Sequence, residues 1–168
     1  MHTLTRIVMR MPAEYLYADL ATRQRICRNI ADENLESYED VVWDYHSLAD
    51  AGCYSDRYPV NAMFARENIE KFINELKECK RHQDAEIKSC TDYFGLDASL
   101  RSIIASCQSS DRNAYEFQTL AEFVCGQFTC ISGFYCVDDM TARITDELME
   151  RIRRYPTEWA MVLIDCHF

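Results

Sequence analysis

The end of the chain constrains the fold most. Residues 159–168 read Trp-Ala-Met-Val-Leu-Ile-Asp-Cys-His-Phe, an almost unbroken apolar run. It is about half the roughly 20 residues needed to cross a bilayer. A strand that is apolar on both faces belongs in the centre of a sheet, where both faces are covered. The run is preceded by Pro156, which ends a helical stripe of Ile144, Leu148, Ile152 and Tyr155. Before that stripe, residues 129–137 read as another strand. Strand, helix and strand in this order predict a right-handed βαβ crossover at the C-terminus.

The rest of the chain reads mainly as helix. Residues 3–11 are the exception: Thr5, Ile7, Met9 and Met11 fall on one face and Arg6 and Arg10 on the other, a strand closed by Pro12. Apolar spacing predicts helices over about 19–30, 35–49, 62–93, 97–107 and 114–125, followed by the helix that Asp138 or Asp139 would cap. In the longest, Ala65, Ile69, Phe72, Ile73, Leu76, Gln83, Ile87 and Cys90 trace one stripe, with Asn61 as its cap and Gly95 as its stop. Only 4 glycines and 3 prolines are present, too few for the tight turns of a sandwich or barrel. The expected fold is α+β, predominantly helical with about six helices and a small sheet of about three strands. The 168 residues, 48% hydrophobic, form one domain over 1–168 that can bury a core without disulfides or a structural metal.

Charge is distributed unevenly. The net value is −10. Residues 1–31 hold five arginines against Glu14 and Asp19. Residues 32–56 hold Asp32, Glu33, Glu36, Glu39, Asp40, Asp44, Asp50 and Asp56 without a single lysine or arginine. Such a surface repels phosphate backbones, which disfavours direct nucleic-acid binding, and it suits a protein partner with a basic groove. Tyr38, Trp43, Tyr45 and Tyr54 are interleaved with the acids, and aromatics are favoured interface anchors. On a helix over 35–49, Trp43 lies off the Leu35–Leu48 stripe, exposed beside the carboxylates.

Other chemistry is weakly signalled. Nine cysteines at irregular spacing, with no charged and apolar leader ahead of them, predict reduced core thiols in a cytoplasmic protein. Cys79-x2-His82 with Cys90 is one partial zinc pattern, short of the paired knuckles of a compact site. Asp138 and Asp139 at a strand's C-terminal end, with Asp165, define the alternative reading of a metal-dependent hydrolase or nuclease. Helix capping explains Asp138 and Asp139 without a metal. Phosphate-cradling and nucleophile-elbow motifs are absent, and no cofactor is implied.

In general character, small and acidic without a catalytic signature, the chain resembles phage- and plasmid-encoded inhibitors of host defence, including antirestriction and anti-CRISPR proteins. The expectation that follows is a non-enzymatic inhibitor that mimics nucleic acid. Its expected contact residues are Glu36, Glu39, Asp40, Trp43, Asp44 and Tyr54. A structural or regulatory zinc protein is the third reading.

Overall fold

The computed structural model describes residues 2–36, 43, 45–58, 62–95 and 99–167. Its α+β class matches the expectation, with five α-helices and a mixed five-stranded sheet among the described residues. The C-terminal strand β5 (Trp159–His167) is central, and eight of its nine residues are buried. On one side it pairs antiparallel along its whole length with β1 (His2–Arg10), from His2 opposite His167 to Arg10 opposite Trp159. On the other it pairs with two short strands in succession, β2 (Tyr45–Leu48) and β3 (Ala62–Phe64). The far edge is β4 (Phe134–Cys136), parallel to β1.

That register corrects the expected crossover. Strands β4 and β5 flank β1 on opposite sides and run in opposite directions, so the C-terminal unit is not a parallel βαβ. The intervening helix α5 (Asp146–Arg154) instead lies on one face of the sheet. Side chains alternate between the two faces. Leu4, Val8, Met161 and Leu163 pack in one core cluster with α5 and with α2 (Ile69–Phe94). Ile7, Met9, Val162 and Ile164 pack in a second with α1 (Leu20–Leu35). Both faces are therefore covered, as the apolar run of β5 requires. Two further helices, α3 (Leu100–Ser109) and α4 (Asp111–Val124), precede β4 in the chain.

Two predicted helices give way to strands. Residues 62–64 form β3, because β5 offers them a ladder and Ala65 N–H continues it to the Trp159 carbonyl. Helix α2 therefore starts later, capped by the Asn68 side chain accepting from Lys71 N–H at 2.9 Å, and it ends at Gly95, whose φ of 79° is left-handed. The helix expected over 35–49 does not reach its end, since residues 45–48 are β2. Helix α1 instead runs on to Leu35, with Asp19 as its cap.

Gln83 shows how the layers are tied. Its buried amide donates to the carbonyls of Ser132 at 2.7 Å and Ala142 at 2.8 Å. Its oxygen accepts from Ile144 N–H at 3.3 Å. One side chain on α2 thus fastens the chain on both sides of β4.

Candidate functional site

The acidic segment begins on α1, and its placement there is unusual. A helix carries partial positive charge at its N-terminus and partial negative charge at its C-terminus. Helix α5 complements this with Asp146 and Glu147 in its first turn and Arg151, Arg153 and Arg154 in its last. Beyond its Asp19 cap, helix α1 does the reverse. It has no acid in its first turn and no base in its last; Arg23, Arg25 and Arg28 come early, and Asp32, Glu33 and Glu36 gather at the end. All three acids are exposed. At about 0.3–1 kcal/mol each, three carboxylates at a helix C-terminus cost on the order of 1–3 kcal/mol. On the neighbouring strand, His46 Nε2 lies 3.7 Å from Asp32 Oδ1.

The expected contact residues separate on inspection. Glu36 is exposed at the end of α1. Glu39, Asp40 and Asp44 lie outside the described residues. Trp43 is corrected: it is only 2% exposed, and its ring meets Phe128 edge-on at 5.1 Å in the core beneath β2. The indole packs into the cluster that also holds Cys27, Ala31 and Leu35 of α1, so it belongs to the core and not to the surface. Tyr54 is half-buried and donates its hydroxyl proton to the His2 carbonyl at 3.2 Å. Among the described residues of this region the exposed aromatic is Tyr45, 51% accessible and stacked on His167.

The three aspartates of the hydrolase reading are not brought together. Asp138 accepts from Arg10 N–H at 2.7 Å, at the end of β1. Asp165 pairs across the ladder with Leu4, six residues and about 20 Å away along the strand. Asp139 forms an ion pair with Arg151. Neither Asp138 nor Asp139 caps α5; Thr145 does, accepting from Leu148 N–H.

The zinc candidates on α2 do not converge either. Cys79 is buried and directs its thiol to the Gly133 carbonyl at 3.3 Å, while His82 is exposed. Burial pushes the Cys79 thiol up to about 11, and likewise Cys136 to about 11 and Cys27 and Cys166 to about 12. These four behave as core thiols and stay protonated at neutral pH.

A different group does converge. His2, Cys53 and Asp165 each place a donor atom within 4.8 Å of the others. It is the one such cluster of three or more His, Cys, Asp or Glu among the described residues. His2 Nδ1 lies 3.0 Å from Asp165 Oδ1, and Cys53 N–H donates to Asp165 Oδ2 at 2.9 Å. Sequence reasoning picked out Asp165 with the wrong partners and missed His2 and Cys53. The three stand 163 and 112 positions apart in the pairs that touch, so only the sheet register reveals them. No family model, curated protein or solved structure matches the chain.

Proposed function

We propose that this chain is a non-enzymatic acidic binding protein that occupies a basic groove of a protein partner in the cytoplasm. The partner's own ligand would be a nucleic acid, and the spaced carboxylates of residues 32–56 would take the place of phosphates. Inhibition of a nucleic-acid-acting defence enzyme, in the antirestriction or anti-CRISPR manner, is the setting this chemistry fits. The observation that carries the reading is the reversed charge order of α1, where Asp32, Glu33 and Glu36 sit where folding alone disfavours them. With the buried Trp43 removed from the surface, the described part of the contact face consists of Asp32, Glu33 and Glu36 on α1, and Glu39, Asp40 and Asp44 of the same acidic segment are its further proposed contacts.

Competition with nucleic acid tests the reading. The full chain is immobilised, a partner is captured from the source cell and repurified, and duplex DNA is titrated into the complex. Displacement by DNA in proportion to its affinity for the partner is the expected result. A complex that persists in saturating DNA would sink the mimicry. An unchanged affinity for the Glu33→Gln, Glu36→Gln double variant would remove α1 from the interface.

A further inference from the structure

We propose that His2, Cys53 and Asp165 form a binding site for one Zn²⁺ ion, which joins both ends of the chain to the excursion between β2 and β3. The reasoning starts from Asp165. It is a carboxylate 3% exposed, on a strand whose other buried residues are apolar. Buried charges are paired or coordinate metals. Here one carboxylate oxygen, Oδ2, is held by the Cys53 backbone N–H at 2.9 Å. The other, Oδ1, faces the imidazole of His2 at 3.0 Å. Two ligands at ordinary zinc distances in a tetrahedron stand about 3.3 Å apart. Replacing the proton between Nδ1 and Oδ1 by a metal ion therefore needs an opening of roughly 0.3 Å, within reach of small side-chain rotations.

The third donor is brought in by the backbone. Strand β2 leaves β5 after Leu48, opposite Ile164, and β3 rejoins at Ala62, opposite Val162. The excursion between them carries Cys53 back over the end of the sheet. Three features fix it there: Cys53 N–H on Asp165, Tyr54 O–H on the His2 carbonyl, and the close approach of Gly52. A Cβ at Gly52 would lie 2.3 Å from Asp165 Oδ2, so only glycine lets the loop come this near. The hydrogen bond from Cys53 N–H then acts as an outer-shell contact that orients the carboxylate, a role commonly found around metal ligands. One thiolate, one imidazole and one carboxylate make a borderline-soft set that suits Zn²⁺ over Mg²⁺ or Ca²⁺. Both His2 and Cys53 are exposed, so the ion has a route in and a fourth position for water. On binding, the Cys53 thiol proton and any proton held by His2 Nδ1 pass to solvent, leaving thiolate and ring nitrogen as ligands.

The test uses the tag-free full chain, since an added histidine tag would compete. Co²⁺ replaces Zn²⁺ as a spectroscopic probe. The expected result is one equivalent bound, with a thiolate-to-cobalt charge-transfer band that Zn²⁺ abolishes. The band should vanish in Cys53→Ser and persist in Cys125→Ser, a control at the other exposed cysteine. His2→Ala should weaken binding roughly tenfold or more. Because Asp165→Asn risks misfolding, alkylation of the wild-type chain provides the second readout: Zn²⁺ should protect Cys53 and leave Cys125 reactive. No bound Co²⁺, a band that survives Cys53→Ser, or equal alkylation of Cys53 with and without Zn²⁺ would each overturn the assignment.

Discussion

Replacing Glu33 and Glu36 by glutamine should make the protein more stable, and the sign of that change is diagnostic. Both acids are exposed at the C-terminal end of α1, where they oppose the helix dipole. Glutamine and glutamate have similar helix propensity, so the intrinsic term cancels. Removing two unfavourable charge–dipole interactions of about 0.3–1 kcal/mol each gives a gain of about 0.6–2 kcal/mol. For a chain of this size that corresponds to a rise in Tm of roughly 1–8 °C. Asp32 is left in place because it lies 3.7 Å from His46. Glu70 supplies a control of opposite sign, since it is exposed in the first turn of α2, where a negative charge is favourable. Glu70→Gln should lower stability by about 0.3–1 kcal/mol. The assay is calorimetry or urea denaturation at low ionic strength, repeated in high salt, where both effects should shrink. A double variant that is less stable than wild type, or as stable, would refute the argument that these acids are held against the demands of folding.

Three further outcomes follow from the core. Gln83→Ala should destabilise the fold by about 3 kcal/mol or more in urea denaturation, because two carbonyls and one N–H lose their buried partner at about 1–3 kcal/mol each. Glu75→Gln should cost about 3–5 kcal/mol by the same measure; Glu75 Oε2 accepts from Arg6 Nη2 at 3.1 Å and from the Tyr58 hydroxyl at 3.0 Å, and without it the buried guanidinium loses its counter-charge. Alkaline pH should weaken the protein. Burial raises Cys27, Cys79, Cys136 and Cys166 from 9.0 to about 11 or 12, so the folded state holds these protons more tightly than the unfolded chain. Their contribution is complete below pH 9 and is lost as pH rises through the folded values, at about 1.4 kcal/mol per pH unit for each thiol. The slope of stability against pH between 9 and 11 should be shallower in Cys27→Ala than in wild type, and equal slopes would contradict the assignment.

The parts of the fold legible in the sequence are those where one element's own pattern decides its environment. Strand β5 is apolar at nearly every position, and it is central. Helix α2 carries a long stripe that includes Gln83, and the glycine expected to stop it does so. Elements that depend on a distant partner were misread. Leu35, Tyr45 and Leu48 fit helical spacing, yet residues 45–48 take the open edge of β5, a choice made by the ladder and not by periodicity. Ala62, Met63 and Phe64 are too few to show any period, and Asn61 ahead of them looked able to cap the helix, whereas Asn68 does so. The direction of β4 relative to β5 was invisible because β1, which lies between them, comes first in the chain. The same limit hid the His2–Cys53–Asp165 group, which exists only because His2 pairs with His167 and the excursion after β2 folds back. The acidity of residues 32–56 was plain from composition. Its most informative property, the reversed charge order on α1, required knowing where that helix ends. Among the described residues no helix is long and apolar enough to cross a membrane.

The central claim is that the acidic segment drives recognition of a basic partner, and the association rate constant tests it most directly. Wild type and the Glu33→Gln, Glu36→Gln variant would be measured by stopped flow against the repurified partner as ionic strength rises from about 0.01 M to 0.15 M, over which the screening length falls from roughly 30 Å to 8 Å. Steered association predicts a wild-type rate that drops steeply with salt, and a variant that starts slower and falls less. Two flat, superimposable curves would contradict the account.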